Sequence, residues 1–502
     1  MLETFLAGLQ IATHFHVLLA LVAGVAIGMA FGALPGLDAT SGTALLVAAT
    51  YSLDTEVALA VLIGLYTAAT YAGSITAISV GVPGTPASAA TVLDGYPMSK
   101  RGHLDRALSV SITSSVFGGI FGTIVLIFFS IPLAEVALSF GAPEYFAIGV
   151  LGVAIIASLV DGMMLAGFIV ALFGLLLTTV GIDPFTGYPR YTVDNANLLE
   201  GIPYIPALVG LFAVSEAIML LKDARKPKEE HSQIPGLWAF NLPFKALKRI
   251  MRVTVFGSVV GSLLGALPAV GAAAANWIGY NESRRIAHDG SMFGKGSEEG
   301  LAAAESSANS TVSTSLVPLL AFGIPGSATA AVLLGAFLLH GITPGPELFS
   351  SNIELVYFIF IALLLANVVM FLFGVVGVSA WVRLVMMPTP YIVMTILTLS
   401  VIGSYSVRSN VFDVYIALAL GVIGYFLRMA KMSVVPIVLA LVLGALIEEN
   451  FRRALFTSND GMMIFVQRPI ALGILIFSLM TFVWPIFRAL LKKKPAPLYG
   501  VD

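Results

Sequence analysis

The sequence predicts an all-α integral membrane protein with roughly 10–12 transmembrane helices or part-spans in two inverted repeats, carrying two re-entrant hairpins and two broken helices. Three observations predict it. Of 502 residues, 58% are hydrophobic and only 11% charged, whereas a soluble domain is about half apolar and a quarter charged. Apolar runs of roughly 18 to 25 residues recur along the chain without the alternation of a membrane β-barrel. Two proline–glycine motifs each occur twice, in the same order and at similar spacing.

Taken in order, the amino-terminal stretch "MLETFLAGLQIATHFHVLLALVAGVAIG" lacks a basic leader and a small-residue cleavage site, and reads as mature chain. His14 and His16 lie two apart, which on one helix points them to different faces and argues against a metal site. "GALPGL" (32–37) supplies a first hairpin tip at Leu34, Pro35 and Gly36, and "VPGTPASAA" (82–90) a helix broken near Pro83 to Pro86. Residues 1–221 form the first repeat. Residues 222–252 are a polar interval carrying eight Lys and Arg, ending in a helix with Phe244, Leu247, Ile250 and Met251 on one side that reads as an interfacial arm or as a solvated linker helix. Residues 253–502 form the second repeat and the C-terminal helices. "GALPAV" (265–270) gives its hairpin tip at Leu267, Pro268 and Ala269, and "IPGSATAAV" (324–332) its broken helix.

Charge orients the repeats, because short cytoplasmic loops collect Lys and Arg. The polar interval, "MSKRGHLDR" (98–106) and "ESRRIAHDGSMFGKG" (282–296) are assigned to the cytoplasm. Their counterparts in the opposite halves, "GITPGPELFSSNIE" (341–354) and "SLDTE" (52–56), contain no Lys or Arg. Equivalent loops on opposite sides are what an inverted repeat requires. From Arg249 to Arg284 the chain leaves and re-enters the cytoplasm in about 35 residues, too few for two full spans, so a hairpin fits.

Broken helix at membrane depth survives only where protein or a water-lined cavity surrounds it, since each unsatisfied backbone group in hydrocarbon costs several kcal/mol. Short interrupted segments at matching places in two halves point to a transporter's binding site. Thr85 suits an N-cap with Pro86 at the first helical position, and Ser327 suits the same role beside Gly326. The substrate-binding candidates are Thr40, Ser41, Ser74, Gly84, Thr85, Pro86, Asn276, Asn309, Ser310, Gly326 and Ser327. Gly36, Asp38, Gly81, Gly323 and Thr311 are candidates for a coupling ion. Free N–H groups at half-helix starts suit an anion, and free carbonyls at half-helix ends suit a cation such as Na⁺.

Residues 17–51, 57–97, 254–280 and 301–340 contain no Lys or Arg, and their only charges are Asp38, Asp94 and Glu305. A multiply anionic substrate would therefore be held by helix ends and bound cations, which predicts cation coupling; moving each charge against ~100 mV costs ~2.3 kcal/mol. Cysteine is absent, excluding disulfides and thiol chemistry, and the near-neutral charge argues against nucleic acid as partner. No P-loop, H-E-x-x-H or G-x-S-x-G pattern is present. An intramembrane enzyme using Asp94 or Glu305 lacks a nucleophile beside either acid, and Asp94 reads as a helix-end or gating residue. A passive organic-anion channel is the alternative to a carrier.

"GALPGLDATSGTALL", "YAGSITAISVGVPGTPASAATVLDGYPMSKRG", "GIDPFTGYPRYT", "GIPYIPALVGLFAVSEAI" and the long run from "GSMFGKGSEEG" to "HGITPGPELF" resemble the large membrane subunit of tripartite tricarboxylate transporters. The resemblance extends from roughly residue 20 to beyond residue 480. It implies a bacterial inner-membrane secondary carrier importing di- or tricarboxylates, driven by Na⁺ or H⁺. Its implied partners are a small four-helix membrane subunit and a periplasmic solute-binding protein; homo-oligomerisation stays open. It places function at Gly84, Thr85, Pro86, Gly326 and Ser327. The run "SANSTVSTS" is richer in hydroxyls than the family pattern, leaving citrate, a dicarboxylate or an aromatic acid as substrates. An elevator-type motion follows by analogy with other hairpin-bearing carriers.

Overall fold

The computed structural model describes residues 2–34, 36–158, 164–223, 240–268, 270–385 and 387–491. Pro35 and Ala269 at the two expected tips, and residues 224–239 of the polar interval, lie outside them. Among the described residues the regular structure is helical, apart from a short antiparallel ladder pairing Gly181–Ile182 with Pro189–Arg190. Seven helices among the described residues are long and apolar enough to cross a membrane: Phe15–Ala33, Thr55–Ser79, Leu104–Ala137, Tyr204–Lys222, Ile353–Val376, Thr389–Arg408 and Val411–Met429. A bent pair, Gly461–Gln467 with Pro469–Thr481, makes eight if it is one span. Four shorter apolar helices, Ala39–Ala49, Ala142–Ile155, Leu165–Thr178 and Ala328–Leu339, accompany them.

The chain forms two compact units, residues 1–138 with 203–426, and residues 139–202 with 427–502. In the first unit, glycines at every fourth position bring helix backbones together. Gly24, Gly28 and Gly32 of Phe15–Ala33 face Val61, Leu65 and Ala69 of Thr55–Ser79. A Cβ on Gly24 would lie 2.7 Å from the Val61 Cα, and one on Gly28 would lie 2.8 Å from the Leu65 Cα. No larger side chain fits without moving backbone, the small-residue contact that membrane helices use where lipid removes the hydrophobic drive to pack. Residue numbers rise together along both helices, so they run parallel, and the Ala39–Ala49 helix between them returns in the opposite direction.

The same construction recurs later in the chain. Gly257, Gly261 and Gly265 of Phe244–Gly265 face Ala303, Ser307 and Thr311 of Glu298–Thr314. These helices are again parallel, with Gly271–Ser283 returning between them. Residues 244–252, the expected arm, are the first turns of the 22-residue Phe244–Gly265 helix, with Phe244 exposed and Ile250 buried. The histidine expectation is corrected. The chain breaks between Leu2–Thr13 and Phe15–Ala33 with His14 at the junction, so the His14 and His16 rings stack at 5.7 Å instead of pointing apart.

The second unit packs Ala142–Ser158, Met164–Thr178, Val435–Thr457 and Pro469–Leu491. Its polar loop is tied down by charge. Asp183 accepts hydrogen bonds from the Phe185 and Thr186 N–H groups and from Arg452, and Arg190 pairs with Glu448. The Phe185 N–H foremost, with Arg452 and Thr186, holds the Asp183 carboxyl down at about 2.

Candidate functional site

Both breaks are closed by the same backbone turn. After Thr55–Ser79 the chain passes Gly81, left-handed at φ 78°, and the Gly84 N–H donates to the Gly73 carbonyl at 3.1 Å. After Leu316–Phe322 it passes Gly323, left-handed at φ 72°, and the Gly326 N–H donates to the Ser315 carbonyl at 3.2 Å. Each closing glycine also seats the last glycine of a parallel helix. A Cβ on Gly84 would overlap the Gly32 carbonyl and lie 2.8 Å from the Gly73 Cα; one on Gly326 would lie 2.6 Å from the Ser315 O and 2.8 Å from the Gly265 O. The second break has an additional interruption at Ser315, between Glu298–Thr314 and Leu316–Phe322.

Beyond their closing turns the two breaks differ. Ser327 caps Ala328–Leu339, its Oγ accepting from the Ala330 N–H at 3.0 Å, as its residue type predicts. Thr85 precedes a single 3-10 turn, Pro86–Ser88, with Pro86 first as expected. Its cap runs the other way: the Ser88 Oγ accepts from the Thr85 N–H at 3.4 Å, while the Thr85 hydroxyl is buried with no hydrogen bond. That hydroxyl sits against Gly73.

Each returning helix reaches the break of the other half. The Asn276 Oδ1 accepts from the Ala90 N–H at 2.8 Å, and its Nδ2 donates to the Ala304 O at 3.1 Å. The Thr40 and Thr329 hydroxyls meet at 2.8 Å. Between the breaks runs Thr55–Ser79, which serves both. Its Tyr66 hydroxyl bonds the Ser315 Oγ at 2.9 Å and the Ser327 Oγ at 3.0 Å. Ser74, two helical turns or about 12 Å further along, donates to the Glu305 Oε1 at 2.6 Å.

The two buried acids are held differently. Glu305, 1% exposed, accepts at Oε1 from Ser74 and from the Thr91 Oγ1 at 2.5 Å, and at Oε2 from the Ser115 Oγ at 2.8 Å. Asp94, fully buried, accepts at Oδ1 from the N–H groups of Gly294, Gly296 and Ser297 at 2.7–2.9 Å and at Oδ2 from the Tyr280 hydroxyl at 2.8 Å. It fastens the Thr91–Lys100 helix to the loop that starts Glu298–Thr314. A cavity of about 390 Å³ beside it is lined by Met98, Arg101, His103, Arg106, Asn241 and Glu298 among others.

Other expected residues also make local contacts. Asp38 caps Ala39–Ala49, accepting from the N–H and the hydroxyl of Ser41, each at 2.8 Å. Gly36, left-handed at φ 89°, lies against Leu220 and Glu216. The hydroxyl-rich run is largely a packing seam: Thr311 donates to the Gly261 and Ser307 carbonyls, Ser310 to the Ser307 carbonyl, and Ser307 to the Ala275 carbonyl. Asn309 donates to the Glu305 carbonyl while its own Oδ1 is buried without a partner. Sequence reasoning missed Tyr66, Thr91 and Ser115. Tyr66 had no signal beyond being a phenol in a long apolar helix.

Residues 18–439 match the family model described as the tripartite tricarboxylate transporter TctA family. The chain is 37% identical over 452 residues to an uncharacterized 52.8 kDa protein in the TAR-I ttuC' 3' region of Agrobacterium vitis, covering 90% of this chain and 89% of that one. It is 36% identical over 215 residues to an uncharacterized protein in the TAR-II ttuC' 3' region of the same organism, covering 43% of this chain and 89% of that one. No solved structure matches. The family model covers both glycine-closed breaks and all the residues that join them, and the chain accordingly belongs to the TctA family of tripartite tricarboxylate transporters, as a multi-span inner-membrane transport subunit and not an enzyme.

Proposed function

We propose that this subunit imports a di- or tricarboxylate by cation-coupled secondary transport through a site between the two breaks, acting with a small membrane subunit and a periplasmic solute-binding protein. The single observation that carries the site is the matched pair of turns. Gly84 to Gly73 and Gly326 to Ser315 close loops of identical length, and each is touched by the returning helix of the other half. Two inverted repeats with two re-entrant hairpins account for this pairing together with the Lys- and Arg-rich loops lying opposite loops that have none. Ser327 and Ala328–Leu339 offer a helix start to an anion, and Tyr66 sets the Ser327 hydroxyl beside Ser315. Gly36, Asp38, Gly81, Gly323 and Thr311 remain the residues proposed for Na⁺, with Gly81 and Gly323 occupying matched left-handed positions.

The native chain has no cysteine, so single cysteines report the site directly. Thr85→Cys and Ser327→Cys stand at buried positions, so they are expected to react with a maleimide only in a state that opens the site and to be protected by the transported carboxylate, with citrate as the first probe. Bulkier Thr85→Trp and Ser327→Trp should abolish uptake with expression intact. If both tryptophan variants transported normally, the site would lie elsewhere.

A further inference from the structure

We propose that Glu305 is a proton-exchange site, and that H⁺ bound there is a coupling ion of the transport cycle; this rests on the carrier reading of the subunit. The shells around the two buried acids differ in kind. A backbone N–H only donates, so the three N–H groups keep the Asp94 Oδ1 an unprotonated acceptor and leave the Tyr280 hydroxyl on Oδ2 as the one partner that could accept from a neutral acid. A hydroxyl both donates and accepts. The Ser74, Thr91 and Ser115 hydroxyls that donate to Glu305 can rotate, so that one accepts a proton bond from the neutral acid. The same shell therefore serves both protonation states, which a fixed structural carboxylate does not need.

Charge on the neighbouring elements supports the assignment. On Thr55–Ser79, Tyr71 is the titratable group that feels Glu305, and Tyr66 is engaged with Ser315 and Ser327. On Thr91–Lys100, Asp94 is committed to the 294–297 loop and Lys100 lies over the Tyr96 ring. On Leu104–Ala137, Arg106 pairs with Glu298, while Asp105 and Glu135 lie near the two ends of the helix. Tyr280 of Gly271–Ser283 is on Asp94, and Arg249 of Phe244–Gly265 faces Glu299. None of these ion pairs or hydrogen bonds brings a cation to Glu305, so a bound proton is the group on hand to neutralise it in an apolar interior.

Position then links the proton to the break. Ser74 follows Gly73, whose carbonyl closes the first break, and Thr91 follows Ala90, which Asn276 holds from the other half. Adding a proton to a Glu305 oxygen reverses at least one of the hydroxyl bonds that join these two sides to Ser115.

The test needs no substrate. Infrared spectra of the purified chain in lipid nanodiscs, titrated with pH, are expected to show the carbonyl stretch of a buried carboxylic acid that appears and disappears reversibly and is missing in Glu305→Gln. Removing one donor with Ser115→Ala should move its midpoint up by about one to two units, since a hydrogen bond to a charged group is lost. Reconstituted with its partner subunits, the wild-type chain should take up labelled citrate with a pH dependence that Glu305→Gln lacks. A titrating band unchanged in Glu305→Gln, or no such band with a Ser115→Ala spectrum identical to wild type, overturns the proposal. Failure of citrate uptake with the infrared titration intact instead counts against the substrate reading.

Discussion

Replacing either closing glycine by alanine tests whether the two breaks are built alike. At Gly84 the new methyl meets the Gly73 Cα at 2.8 Å and the Gly32 carbonyl closer still; at Gly326 it meets the Ser315 and Gly265 carbonyls at 2.6 and 2.8 Å. All these are backbone atoms, which cannot rotate aside. Overpacking of this kind costs typically ~1–3 kcal/mol, and straining the N–H bond that closes the turn adds a net ~1 kcal/mol. The expected loss is ~2–4 kcal/mol per variant, roughly 30- to 700-fold in the population of the native break. Gly473→Ala is the control, since a Cβ there meets nothing within 4 Å and helix Gly→Ala changes stabilise by ~0.4–1 kcal/mol. Thermal melting in detergent, followed by uptake in proteoliposomes, reads both effects. Gly84→Ala and Gly326→Ala should melt lower and transport poorly, and Gly473→Ala should do neither. Wild-type melting and uptake in either break variant would refute the shared construction.

Tyr66→Phe removes a phenol bonded to both Ser315 and Ser327; a loss of ~1–3 kcal/mol is expected, with uptake reduced more than melting, because the Ser327 helix start loses its support. Asp94→Ala strands three N–H groups and a tyrosine hydroxyl, so destabilisation of about 3 kcal/mol or more is expected; Asp94→Asn keeps an acceptor and should melt closer to wild type. In the second unit, Asp183 titrates lower in the fold than its ordinary 3.8, so its contribution is complete above that value and is lost as pH falls through about 2. Pepsin at a pH between those values should spare residues 184–194 of the wild-type chain and cut them in Arg452→Ala; equal cutting would show that the ion pair does not hold the loop.

The repeat was legible because its signal is local. Proline and glycine must stand where helices break, so "VPGTP" and "IPGSA" announced both breaks, and their order after "GALPGL" and "GALPAV" gave the pairing. The four-residue glycine steps at Gly24, Gly28, Gly32 and at Gly257, Gly261, Gly265 were also in plain view and mark the parallel helix contacts. Contacts between distant residues were not legible. Asp94 finds its donors some 200 positions away, and the Glu305 shell is drawn from three other helices. In the serine and threonine run, the expected ligands Ser310 and Thr311 also donate their hydroxyls to backbone carbonyls. Hydroxyl chemistry alone does not separate the two uses; only the distance to the facing helix does.

As a cation-coupled carrier, this subunit is expected to do concentrative work on a carboxylate. Labelled citrate uptake into proteoliposomes holding the chain, its small membrane subunit and its loaded solute-binding protein measures that directly, under imposed Na⁺ or H⁺ gradients. Accumulation above the outside concentration, abolished when an ionophore collapses the driving gradient, is the predicted result. Flux that stops at equal concentrations and ignores both gradients and the binding protein would contradict it and make the subunit a passive channel.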